Sequence, residues 1–173
     1  MIRIRPARPM DSAAIAQVQV ETWRDTYAGL LPDHVLLRMS EPRECLMWQR
    51  VLASADTVLV AEESGGAVVG FASGGPNRQR SLDFAGEVYT LYVHPDRQGQ
   101  GLGRRLLHRQ FGALKRAGHG SAMVWVLDAN PARYFYEAMG GARVAERDEP
   151  LWGTVLHEAA YGWRSLPVPR GLQ

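Results

Sequence analysis

Only one cysteine, Cys45, and one lysine, Lys115, occur among the 173 residues. A lone cysteine cannot close an intramolecular disulfide, and it cannot supply a metal site built from several thiolates. The scarcity of lysine leaves the basic charge to arginine, spread along the chain except for the group Arg104, Arg105, His108 and Arg109. Nucleic-acid binders gather their basic residues on one face or stripe, so this distribution predicts no nucleic-acid partner. No apolar run approaches the roughly 18 residues that a transmembrane helix needs. The charged start Met1-Ile2-Arg3-Ile4-Arg5-Pro6 has no apolar segment behind it, which predicts no secretory signal and no membrane partner. His108, His119 and His157 lack metal-ligand spacing, so no metal is expected. The expected setting is cytoplasmic.

What the chain does have fits one globular unit. A hydrophobic share of 46% and a charged share of 22% are ordinary for a soluble domain, and the length predicts a single domain over residues 1–173. Ile2 to Arg5 alternates like a short strand. Asp11 or Ser12 is placed to cap a helix with Ile15, Val18 and Trp23 on its apolar side, ending near Gly29. Further helices are expected after Pro32 and from about Glu41, the latter with Leu46, Trp48, Val51 and Leu52 on one side. Cys45, Met39 and Met47 read as core residues. Thr57–Glu62, Ser64-Gly65-Gly66 and Ala67–Phe71 form a hairpin signal, because glycines supply the positive φ of tight turns. Gly74–Ser81 reads as a loop, and Glu87–Val93 as a strand dense in aromatic and β-branched residues. A helix to about Lys115, a strand over Ala122–Leu127, a short helix over Pro131–Met139, and strands over Ala142–Arg147 and Thr154–Trp163 complete the chain. This order predicts an α/β fold, a mixed central sheet with helices on both faces.

The chemistry concentrates in Glu87–Leu107. Gln98-Gly99-Gln100-Gly101-Leu102-Gly103 joins a strand to a helix start, where glycines admit a ligand close to the backbone. The first helical turn has unpaired N–H groups and the positive end of the dipole, an anion site suited to a pyrophosphate. A P-loop is excluded because no lysine or hydroxyl residue follows Gly103. A dinucleotide fingerprint fails because its third glycine position holds Arg104. The pattern [Q/R]-x-x-G-x-[G/A] is matched by Gln98, Gly101 and Gly103. With the strand ending Val93-His94-Pro95 before it and Asn130-Pro131-Ala132-Arg133-Tyr134-Phe135-Tyr136-Glu137 after it, the chain resembles the GNAT N-acyltransferase superfamily. The resemblance covers about residues 57 to 141, and the N-terminal third more loosely.

That resemblance implies a single-domain GNAT-like fold, acetyl-CoA as co-substrate and acetyl transfer to an amine by direct attack in a ternary complex. It implies that the backbone at Tyr92 and Val93 opens from the neighbouring strand, Val93 donating its N–H to the thioester carbonyl. It implies that Gln98, Gly99, Gln100, Gly101, Leu102 and Gly103 hold the pyrophosphate with Arg104 beside them, that Asn130 touches the pantetheine arm, and that Tyr136 protonates the leaving thiolate. Two departures stand out. Asn130 to Tyr136 is one residue shorter than the commonest spacing, which makes Tyr134 the next candidate, and Gly140-Gly141 replaces a glycine followed by an aromatic. Residue by residue, Tyr136 can equally be core, Asn130 a helix cap, and Arg104 a solvated side chain.

Presenting an alkylammonium as a neutral amine at pH 7 costs about 4.6 kcal/mol, so a proton acceptor is needed. Glu87 lies six residues before Val93, an even offset that predicts a shared strand face; it serves either as this base or as partner of an arginine. Trp23 and Tyr27, four apart on one helical face, either wall an amine pocket by cation–π contact or pack in the core. The leading expectation is an N-acetyltransferase of small-molecule primary amines, possessing a homodimer interface. Acetylation of protein amines and non-catalytic acyl-CoA sensing are the alternatives.

Overall fold

Each strand and helix expected from the sequence is present in the computed structural model, which describes residues 1–167. In chain order they are β1 Ile2–Pro6, α1 Ser12–Tyr27, α2 Asp33–Arg38, α3 Glu41–Leu52, β2 Thr57–Glu63, β3 Val68–Pro76, β4 Gly86–Val93, α4 Leu102–Arg116, β5 Ala122–Leu127, α5 Ala132–Ala138, β6 Ala142–Leu151 and β7 Thr154–Trp163. The seven strands form one sheet in the order β1-β2-β3-β4-β5-β7-β6. Among the described residues only β4 and β5 pair in parallel, because the chain between them crosses over through α4. Among the described residues no helix is long and apolar enough to cross a membrane.

α4 and α5 cover one face of the sheet. Leu107, Phe111 and Leu114 of α4 meet Val88, Val124, Val126, Tyr136, Tyr161 and Trp163 in one buried cluster. α1 and α3 cover the other face, where Ile15, Val18 and Trp48 pack on Val58, Val60 and Phe71. Full burial of one such side chain is worth about 1.5–3 kcal/mol, so these two clusters fix which helix lies on which face.

Several local expectations are corrected. Asp11 precedes α1 without capping it by side chain. Its carboxylate instead accepts two bonds from Arg5, at 2.8 and 3.0 Å, and the Arg8 N–H at 2.6 Å. Leu46 and Met47, expected inside, are 60% and 40% exposed, whereas Trp48 on the buried side of α3 is 2% exposed. The loop expected from Gly74 begins later, since β3 runs to Pro76. Gly74 and Gly75 belong to the strand through their pairing with Val88 and Glu87, and they are glycines for want of space: an added Cβ would stand 2.7 Å from Gln110 Nε2 and 2.8 Å from the Tyr89 hydroxyl. At Gly141 an added Cβ would stand 2.8 Å from Trp163. Trp163 thus fills the space an aromatic at 141 would need.

The irregularity that shapes the site lies in β4. Ser73 pairs with Thr90 and Gly74 with Val88, leaving Tyr89 without a partner in β3. An extra residue of this kind bends its strand and sharpens the local twist. β4 pairs with β5 only from Gly86 to Val88, opposite Ala122 to Val124. Beyond the bulge the two strands part and leave a slot between them.

Candidate active site

The slot opens into a cleft of about 1060 Å³ lined by β4, β5, the glycine turn, α1 and α5. His94 donates its N–H to Val69 of β3 at 2.9 Å. Strand alternation therefore turns the N–H groups of Val93 and Leu91 to the opposite edge, into the slot. The Val93 carbonyl on that edge accepts from the Gln98 side chain at 2.9 Å and from the Thr22 hydroxyl at 3.5 Å. The Val93 N–H has no facing strand.

At the mouth of the slot the glycine turn is held by backbone geometry. Gly99 and Gly101 have φ of +72° and +77°, the left-handed region that a side chain disfavours. Gly101 precedes α4 directly, and the first bond of that helix runs from Arg105 N–H to Gly101 O at 3.2 Å. The N–H groups of Leu102, Gly103 and Arg104 in this first turn form a ready cradle for a pyrophosphate. A Cβ on Gly103 would lie 3.7 Å from Phe135 and 3.9 Å from Val93, so cradle and slot adjoin. Leu102 is buried and offers only its backbone to the cleft. Arg104 is exposed on the cleft rim, and Gln100 reaches back to the Asp96 carbonyl at 3.4 Å. Arg105 is turned away to the Ile2 carbonyl at 2.9 Å.

Three tyrosines meet at the slot. Tyr136 of α5 is 5% exposed and packs on Phe135, Tyr161 and Trp163, yet it lines the cleft. Burial, with the neighbouring Tyr92, pushes its hydroxyl well above the usual phenol range. Burial pushes Tyr92 up to about 12. Burial and then Tyr92 push Tyr27 up too. All three hydroxyls stay protonated through the working pH range. Tyr134, the next candidate in the sequence, is 58% exposed and bonded to Arg133.

Asn130 uses both ends of its amide within the protein. Its Nδ2 donates to the Tyr27 hydroxyl at 2.8 Å, and its Oδ1 accepts the Ala132 N–H at 2.9 Å, fixing the start of α5. Trp23 and Tyr27 share a face as expected, but they meet edge to face at 5.0 Å in a buried cluster with Val20, Val35, Leu127 and Leu156. Both also touch the cleft.

Glu87 does not share the face of Val93. The unpaired Tyr89 inverts the alternation: Val93 pairs with Gly70, whose added Cβ would meet Leu106 of α4, while Glu87 pairs with Gly75. An added Cβ on Gly75 would meet Tyr89 and Asp56 instead. Glu87 is 2% exposed and holds Arg78, which donates to it from its backbone at 3.0 Å, from Nε at 3.4 Å and from Nη2 at 2.7 Å. The Arg78 guanidinium lies over the Tyr89 ring at 3.9 Å.

Across the cleft stands a second pair that no sequence motif announced. Arg147 of β6 donates from Nε to Glu158 of β7 at 2.6 Å and lies over the Trp125 ring at 4.1 Å. Their register, Arg147 opposite Glu158 and Trp125 opposite Ala160, puts all three on the face of the sheet away from α4. The only signal in the sequence is the hairpin itself, turning at Trp152-Gly153.

The chain matches the family model described as acetyltransferase (GNAT) domain over residues 54–140. It is 37% identical to the uncharacterized N-acetyltransferase YuaI of Bacillus subtilis (strain 168), over 99% of this chain and 98% of that protein. It is 36% identical to the L-amino acid N-acyltransferase MnaT of Escherichia coli (strain K12), covering 79% of this chain and 77% of that protein. Among solved structures, yncA from Salmonella typhimurium with its cofactor acetyl-CoA superposes with a TM-score of 0.71 at 26% identity, covering 100% of this chain and 98% of that chain.

Proposed function

The chain belongs to the GNAT acetyltransferase family, and on that premise we propose that it acetylates the primary amine of a small molecule by direct attack in a ternary complex, residues 1–173 acting as one domain. That it is an acetyl-CoA-dependent N-acyltransferase follows from its family and relatives. The acceptor and the residue roles are our reading. The observation that carries it is the slot: an unpaired Val93 N–H adjoining an anion cradle, at the one place where β4 and β5 part.

The residues fit the co-substrate. Positive φ at Gly99 and Gly101 shapes the cradle, and the free N–H groups of α4 match a pyrophosphate. When bound, acetyl-CoA supplies the acyl group as an activated thioester. Val93 N–H is aimed where negative charge grows on the thioester oxygen, a donor worth about 2.7–4 kcal/mol in comparable sites. Tyr136 holds its proton and delivers it to the departing sulfur. Burial keeps that hydroxyl protonated at working pH, so the proton is present when the sulfur departs. Glu87, on the acceptor side of the slot, takes the amine proton through water, with Arg78 fixing its orientation.

The test incubates the protein with acetyl-CoA and a panel of amines, polyamines, amino acids and peptides, following thiol release. MnaT is named for L-amino acids, which therefore head the panel. Turnover with a small amine is expected. Turnover confined to peptides would replace the acceptor class, and acetyl-CoA that leaves the melting temperature unmoved would refute the reading.

A further inference from the structure

Two arginines flank the acceptor side of the cleft, and they differ in what they leave unbonded. Arg78 donates from its backbone, Nε and Nη2 to Glu87, so one edge of its guanidinium is occupied. Arg147 bonds through Nε alone, to Glu158 at 2.6 Å with Glu149 at 3.4 Å. Its Nη1 and Nη2 have no hydrogen-bond partner among the described residues. The pair of terminal nitrogens is the edge that meets a carboxylate end-on through two parallel bonds. The side chain is 30% exposed, bonded at Nε and packed with its guanidinium carbon 4.1 Å from the centre of the Trp125 ring, which restrains it at the rim.

A second orphan donor lies below it. The Trp125 Nε1 is buried and has no partner among the described residues. Leaving such a donor unmatched costs about 1–3 kcal/mol, and Trp125 lines the same cleft as Arg147. The unbonded fork of Arg147 and the carboxylate of Glu87, which is paired with Arg78, line the same cleft. A molecule with an ammonium at one end and an anion at the other complements this arrangement.

We infer that Arg147 is the specificity-determining residue for the acceptor, gripping a carboxylate through Nη1 and Nη2, so that the preferred substrate is an amine that also carries a carboxylate, a free amino acid. The inference rests on the acyl-transfer reading above and narrows its substrate class. Glu158, hydrogen-bonded to Nε, holds Arg147 and orients the fork.

The experiment compares L-amino acids with their carboxamides, which keep the amine and replace the carboxylate by a neutral amide. Wild-type protein is to be measured against Arg147→Met, whose unbranched stem still covers Trp125, and against Arg147→Lys, which keeps charge without the fork. Wild type is expected to favour the acids over the amides by roughly ten- to a hundred-fold in kcat/KM. Arg147→Met is expected to bring that ratio near one, through KM for the acid, with Arg147→Lys between. Retention of the melting shift given by acetyl-CoA shows that each variant is folded. Equal use of acids and amides by wild type, or a ratio unmoved by Arg147→Met, overturns the inference and leaves acyl transfer standing. Turnover with carboxylate-free amines only does the same. Absence of turnover with every amine brings down the acyl-transfer reading and this inference together.

Discussion

The Asn130 side chain donates to the Tyr27 hydroxyl at 2.8 Å across 103 residues of sequence. The bond ties the last turn of α1, on one face of the sheet, to the loop that starts α5, on the other. Tyr27→Phe removes this one neutral hydrogen bond and is expected to cost about 0.5–1.5 kcal/mol. Asn130→Ala also frees the Ala132 N–H and should cost more. Urea unfolding of both single variants and the double checks this: a double variant no worse than Asn130→Ala is the expected result, and strict additivity would break the link.

Tyr136→Phe keeps the ring that packs on Tyr161 and Trp163 and deletes only the hydroxyl. If that hydroxyl protonates the leaving group, kcat falls by about 10²-fold or more, while acetyl-CoA raises the melting temperature as in wild type. A variant of unchanged kcat assigns Tyr136 to the core alone.

At Gly101 the question is conformation, not space, since nothing lies within 4 Å of an added Cβ at φ +77°. Gly101→Ala is expected to lose about 1–2 kcal/mol and, by distorting the turn, to weaken acetyl-CoA binding. Gly101→Asn, a residue that enters the left-handed region more readily, should lose less. Thermal melts with and without acetyl-CoA give both numbers; equal losses would point to a clash instead.

Arg5 stands between Asp11 and Glu62 and bonds both. Arg5, then Arg3, holds Glu62 down at about 2, and Arg5 holds Asp11 below the ordinary carboxylate range. Both carboxylates are more acidic folded than unfolded, so their contribution is complete above the unfolded pKa near 4. It is lost as pH falls toward 2. Melting temperature should drop across that window. Arg5→Leu should flatten the drop, and a parallel curve for the variant would remove these groups from the acid limb.

The arrangement of strands and helices was legible because hydrophobic periodicity and glycine placement are local properties. The glycine turn carried its backbone shape in its spacing, and Gly101 with its positive φ sits directly before α4, where the pattern asks for glycine. Glu87 shows where local reading ends. Counting by two from Val93 put it on the wrong face, since a bulge depends on how the neighbouring strand pairs and not on the residues of β4. Arg147, Glu158 and Trp125 lie in three strands and meet only after β7 inserts between β5 and β6. Leu46 and Met47 were misplaced for a humbler reason: the buried side of α3 is taken by Trp48 with Cys45, Val51 and Leu52 beside it, which leaves the other apolar residues to face outward.

Tyr89 makes the length of β4 as consequential as its composition. Upstream and downstream of it, the strand keeps two independent phases, and the sheet reads them as one only because a single residue is out of step. Removing any one residue between Val88 and Leu91 would act like a frame error, turning Glu87 and its neighbours over relative to Val93 and offering β4 back to β5 along its whole edge. A substitution in this stretch leaves the phase of the strand intact, whereas a change in its count by one resets the pairing at the slot.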